Sequence, residues 1–151
     1  MAVAPTPPIY HERQQLSRCS VHAVNNLLGG PVYSARDFDA ICEELNPSRM
    51  ANPHRDTEPP PPTGVLAGLL VHTTHAGASR LWGLFGTTPH WLAVRLLQVA
   101  GVWRRVVLDS TAPLRVLGAG VGAGSVHEFV AGVLAGGGHV LVVHRLDVVP
   151  P

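Results

Sequence analysis

The stretch HWLAVRLLQVAGVWRRVVLD, His90 to Asp109, reads as two strands joined by a turn. HWLAVRLL and VWRRVVLD are rich in β-branched and aromatic residues, and QVAG separates them. With Val99-Ala100 as a two-residue turn, His90 stands directly opposite Asp109. Opposed residues of an antiparallel pair have Cβ atoms about 5 Å apart on one sheet face, close enough for an imidazole–carboxylate hydrogen bond. Trp91 points to the other face by alternation and reads as packing. Taken alone, His90 also reads as a strand-end surface histidine, and Asp109 as the start of a turn with Ser110.

Outward from this hairpin, the chain divides into a helical first half and a strand-rich second half. After a loose arm over residues 1–8, helical spacing begins, with Ala23, Val24, Leu27 and Leu28 on one stripe and Gly29-Gly30 as the stop. SARDFDAICEEL predicts a second helix. Ser34 and Asp37 form its capping box, and Phe38, Ile41, Cys42 and Leu45 its apolar face, where Cys42 reads as a core filler. NPSRMANPHRDTEPPPPTG breaks regular structure, and the run Pro59 to Pro62 favours an extended polyproline connection. From Val65 to Gly86 the pattern is ambiguous, and the expectation is a short apolar helix over Val65–Val71. SVHEFVAGVLAGGG predicts a helix capped by Ser125 and Glu128 with a glycine exit, and the strand HVLVVHRL follows. The resulting class is α+β, with the N-terminal helical part packed on an antiparallel sheet in one domain over residues 9–149.

Composition narrows the partners. Hydrophobic residues make up 46% of the 151 and charged residues 14%, which argues for a folded chain rather than a disordered one. A formal net charge of +1 gives no electrostatic case for nucleic acid. Two cysteines are too few for a disulfide framework, which points to a reducing, cytoplasmic setting. MAVAPTPPIY lacks the basic flank and apolar run of a signal peptide. The apolar run VLAGLLV falls far short of the roughly 18 residues that a membrane span needs. No cofactor and no metal are expected, and the chain reads as a monomer. A zinc reading from Cys19-x-x-His22 and His72-x-x-His75 is weak, because structural zinc sites use tighter ligand pairs and more cysteines.

Cys19 heads the first helix, in YHERQQLSRCSVHAVNNLLGG, Tyr10 to Gly30. The positive end of a helix dipole and its unpaired amides favour a thiolate, and Ser17 or Arg18 lies near the cap. Cysteine is also among the most buried residue types, so local physics leaves Cys19 open between nucleophile and core residue. A nucleophile further needs a base and an acceptor that orients the base, and the hairpin offers His90 and Asp109. His22, one turn beyond Cys19, reads as support for the helix or the surface. Asn25 and Asn26 read as groups that satisfy backbone or pack the helix.

The segments YHERQ, VHAVNNLL and NPHR, followed by HW on one strand and LDS at the end of the next, resemble the Josephin domain of cysteine-type deubiquitinases. The likeness is greatest to the small Josephin-only members and covers about residues 9–57 and then the VLAGLL region to 149. It implies a papain-like cysteine protease fold of the Josephin type. It further implies Cys19 as nucleophile, His90 as general base, Asp109 as the residue that orients the histidine, and Gln14 as the amide of the oxyanion hole. The activity implied is hydrolysis of the isopeptide bond at the ubiquitin C-terminus, with ubiquitin and ubiquitinated proteins as partners. Two departures accompany the likeness. DTEPPPPTG, residues 56–64, stands where the family carries a further helix and strand. The His90-to-Asp109 spacing is also longer than the family pattern, but by an even number of residues, which preserves side-chain phase. The first departure supports an alternative reading, a ubiquitin-binding scaffold of the same fold with an impaired site.

Overall fold

The computed structural model describes residues 8–15, 18–45, 64–75, 88–118 and 124–145. The shortened segment from Asp56 to Thr63, the Pro59–Pro62 run and residues 1–7 of the arm lie outside the described residues.

The two strands of the opening hairpin are β2 (Thr88–Val99) and β3 (Val102–Leu108). Their register pairs Val99 with Val102, so the turn is Ala100-Gly101 rather than Val99-Ala100. Both turn residues have positive φ, 49° and 78°, as a type I′ turn demands, and Gly101 takes the second position without steric cost. The pairing sets Ala93 against Leu108, and continuing it places Asp109 across from Leu92. His90 is therefore diagonal to Asp109, not opposite it. The change of register moves the partner by an even number of residues, so both side chains stay on one face.

The expected helix over Val65–Val71 is instead strand β1, Val65–His75. A continuous apolar run fits a buried helix and a buried strand equally well by periodicity. Pairing decided it: β1 is hydrogen-bonded to β2 on one side and to β5 (His139–Arg145) on the other. Gly68, at φ 153°, lies beside a register shift in the β1–β5 ladder, and a Cβ there would fall 2.3 Å from the Val94 carbonyl oxygen. With β4 (Arg115–Leu117) on the far edge, the sheet runs β4-β3-β2-β1-β5, every neighbouring pair antiparallel.

The helices take opposite faces. On one, Leu27 of α1 (Cys19–Leu28) packs with Ala93, Val106 and Leu108. On the other, Val71, Leu92, Val94, Val107 and Leu117 form a cluster against Val126, Phe129 and Val133 of α3 (Val126–Ala135). Ser125 and Glu128 cap α3 reciprocally, as the sequence pattern predicts. No residue of α3 is fully buried. In α2 (Ala35–Leu45) the Ser34–Asp37 box forms. Its apolar face does not close onto the described core, however: Ile41 is 40% exposed and Cys42 is exposed, so Cys42 is no core filler.

The C-terminus of α1 is anchored by Gly29, at φ 80°, whose N–H returns to the Asn25 carbonyl at 2.8 Å. Arg95 of β2 donates to the Asn26 carbonyl at 3.1 Å, and a Cβ on Gly29 would meet that guanidinium at 2.6 Å. The last turn of α1 is thus held at Arg95, and Gln14, in the segment ahead of the helix, is held at Ser110.

Leu108 is wholly buried and Leu96 is 55% exposed. Leu108→Ala is expected to cost about 2–5 kcal/mol in urea denaturation. Leu96→Ala should stay within about 0.5 kcal/mol of wild type.

Candidate active site

Asp109 follows the last residue of β3, where the chain turns through Ala112 N–H to the Asp109 carbonyl at 3.2 Å. Its Oδ1 accepts from the Thr111 amide at 2.8 Å and from the Thr111 hydroxyl at 2.7 Å, an Asx turn. The same oxygen lies 2.8 Å from His90 Nε2. One carboxylate oxygen thus serves both the turn and the contact with His90. Burial raises the Asp109 carboxyl, but hydrogen bonds from His90 and from the Thr111 side chain and amide outweigh it and hold the group well below the usual carboxylate range.

An ionised carboxylate only accepts, so the proton on this contact belongs to His90 Nε2. In the neutral ring Nδ1 is then the basic nitrogen. The His90 and Asp109 side chains are mostly shielded, 12% and 17% exposed, which strengthens the contact relative to one in water. Trp91, on the opposite face as alternation predicts, packs against His72 with ring centroids 4.8 Å apart.

Cys19 is the first residue of α1 and half buried. The N-cap is Arg18, which makes no side-chain capping bond, and the first turn carries no acidic residue. No acidic side chain of the first turn itself opposes the amide dipoles at Cys19, although Asp39 reaches the N-cap residue Arg18 at 3.3 Å. Since α1 packs across β2, the strand that bears His90, the cysteine and the histidine sit on directly contacting elements.

Gln14 lies in the segment that approaches α1. Its backbone N–H donates to the Ser110 carbonyl at 2.8 Å, and its side-chain Oε1 accepts from the Ser110 hydroxyl at 3.4 Å. With the oxygen end so occupied, the NH₂ end is the one oriented to donate. Two further bonds staple this segment to the Asp109 turn: His11 Nε2 to the Asp109 carbonyl at 2.8 Å, and Arg13 to the Ala112 carbonyl at 2.9 Å. Sequence reasoning missed His11, Ser110 and Thr111. Each acts mainly through backbone groups 96 or more positions away or through a local turn, and only the LDS motif hinted at Ser110.

Asn25 and Asn26 are fully buried and satisfy backbone, as expected. Asn26 brackets Glu12, its Oδ1 accepting from the Glu12 amide at 2.5 Å and its Nδ2 donating to the Glu12 carbonyl at 3.2 Å. Asn25 does the same for Tyr33, at 2.9 and 2.8 Å. Among the described residues no group of three or more His, Cys, Asp or Glu is gathered as a metal site. No helix among them is long and apolar enough to cross a membrane.

Comparison with known proteins gives human Josephin-2 and mouse Josephin-2, each 50% identical over 52 residues, 34% of this chain. The Drosophila melanogaster Josephin-like protein is 48% identical over 48 residues, 31% of this chain. The matched stretch spans 28% of each Josephin-2 chain and 22% of the fly protein, well under a third of these relatives. No family model and no solved structure matches the chain. The papain-like fold of the Josephin type accords with these relatives and with the observed helices on a five-stranded antiparallel sheet.

The Asp109 carboxyl titrates lower in the folded chain than its ordinary value of 3.8, so its stabilisation is complete above that value and is lost as pH falls through the folded one. Urea denaturation of wild type and Asp109→Asn is expected to show a wild-type advantage that shrinks steadily below pH 3.8. A difference that stays constant along the acid limb would refute this.

Proposed function

We propose that this relative of the Josephin proteins is a cysteine-type deubiquitinase that hydrolyses the isopeptide bond at the ubiquitin C-terminus. One observation carries the reading: His90 Nε2 lies 2.8 Å from Asp109 Oδ1, and His90 stands on the strand against which the helix headed by Cys19 packs. His90 Nδ1 takes the Cys19 proton, and the thiolate attacks the carbonyl carbon of ubiquitin's last glycine. The negative oxygen of the tetrahedral intermediate accepts from the Gln14 side-chain amide. As the C–N bond breaks, the imidazolium returns its proton to the departing lysine amine, which leaves a thioester on Cys19. Water, deprotonated by the same histidine, then releases ubiquitin and restores the thiol. Asp109 keeps the imidazole in the tautomer that this cycle needs and stabilises it when charged.

Ubiquitin and ubiquitinated proteins are accordingly the proposed partners, in a reducing intracellular setting. A tail of glycines suits such a site, since residues without Cβ let the substrate backbone approach the catalytic groups closely.

The test is reaction of the purified chain with ubiquitin bearing a C-terminal thiol-directed electrophile. A covalent adduct is expected with wild type and absent with Cys19→Ala. In turnover of a ubiquitin C-terminal amide, Gln14→Ala is expected to lower kcat about 100-fold, the usual cost of losing one oxyanion donor. A folded wild-type chain that binds ubiquitin but forms no adduct would assign it the scaffold role instead.

A further inference from the structure

Gln14 delivers its amide correctly only if the chain on both sides of it is held. On the upstream side Asn26 brackets Glu12, and at Gln14 itself the backbone N–H is tied to the Ser110 carbonyl. Downstream, His22 Nε2 accepts from the Gln15 backbone N–H at 3.1 Å; the Gln15 carbonyl, to which the other tautomer would donate, lies farther from the same nitrogen, at 3.4 Å. His22 sits on the second turn of α1 beyond Cys19, and its side chain is only 12% exposed. An imidazole nitrogen that accepts carries no hydrogen, so in this arrangement His22 bears its proton on Nδ1. That nitrogen is buried without a well-formed hydrogen bond, and it faces Glu12 Oε2 at 3.3 Å. That carboxylate oxygen also accepts from Asn25 Nδ2 at 3.0 Å, and the Tyr10 hydroxyl hydrogen-bonds the same carboxylate. The carboxylate thereby favours the Nδ1-protonated tautomer electrostatically, the arrangement by which a carboxylate sets a histidine's tautomer elsewhere.

The geometry points to His22 as a positioning residue for the oxyanion hole, with Glu12 setting its tautomer. It touches no reacting atom. It links the helix that carries Cys19 to the residue beside Gln14, so the nucleophile and the oxyanion donor keep one spacing. This rests on the reading of Gln14 given under Proposed function, but the hydrogen bond itself is measurable without catalysis. The role also accounts for two polar groups, Glu12 and His22, that the Cys19–His90–Asp109 chemistry leaves unused.

Three measurements test it. Nitrogen NMR of the wild-type chain is expected to show His22 protonated on Nδ1 and the Gln15 amide protected from exchange. An Nε2-protonated ring or an unprotected Gln15 amide overturns the proposal, whether or not the chain cleaves ubiquitin. In turnover of a ubiquitin C-terminal amide, His22→Asn, too short to reach Gln15, is expected to lower kcat on the order of ten-fold with KM unchanged, a part of what the donor itself is worth. His22→Gln, whose amide oxygen reaches the position of Nε2, should restore most of it. Alkylation of Cys19 by iodoacetamide, followed by mass spectrometry to separate it from Cys42, should be unaltered in both variants. In a Gln14→Ala background His22→Asn should cost nothing further, because its effect passes through Gln14. Additive losses, or a parallel fall in Cys19 alkylation, would make His22 a general structural support and overturn the assignment. Absence of turnover in wild type alongside a protected Gln15 amide would sink the deubiquitinase reading and leave the bond standing.

Discussion

Asp109 Oδ1 accepts from three donors, His90 Nε2, the Thr111 amide and the Thr111 hydroxyl, all within 2.7–2.8 Å. Everything at the sheet end is arranged around that oxygen. The two Thr111 bonds close the turn after β3, so the carboxylate is held by its own turn as well as by the histidine. The cost of burying the charge is offset by those donors, and the group stays ionised as the acceptor that a histidine needs. Such a carboxylate supplies orientation and charge at once. An unlocked Asp on a flexible loop would lose much of both to side-chain entropy.

The second constraint is the segment from Ile9 to Gln15, which has no helical or strand structure of its own. It is held from two sides, by side chains on one and by backbone carbonyls on the other. Asn26 and His22 come from α1, and the Asp109 turn supplies the Asp109, Ser110 and Ala112 carbonyls. A segment bound in this way transmits the position of α1 to the end of the hairpin. Both asparagines are fully buried, and each meets a backbone N–H and a backbone C=O with its own amide. Buried amides left unmatched would cost roughly 1–3 kcal/mol each, so the pairing is what permits polar groups in that part of the core.

Much of the site could be read from residue order because its signals are local. The strand pattern of HWLAVRLL and VWRRVVLD, the glycines closing α1 and the Ser–Asp and Ser–Glu boxes are each written within a few positions, and each forms. The turn lies one residue beyond the Val99-Ala100 that the sequence suggests, because a bare VAG carries no Asn-Gly or Asp-Gly signal. The face assignment survived only because moving the turn by one position displaces the partner by two, and side chains alternate with a period of two. Cys42 went the other way. Its helical stripe is real, but periodicity says only which residues share a face, and the described core does not cover this one.

Residue order alone determined the class of element at most positions, the helix that presents Cys19, and the shared face of His90 and Asp109. These follow from nearest-neighbour sterics, capping and alternation, which act over a few residues. Tertiary structure decided the rest. It made Val65–His75 a central strand, because two neighbours were available to pair with it. It also tied Gln14 to Ser110 and His11 to Asp109 across some 100 positions of chain, through backbone carbonyls that no side-chain pattern encodes. A hydrogen bond to a distant peptide group depends on where two elements come to rest, and that is a property of the packed sheet rather than of either segment.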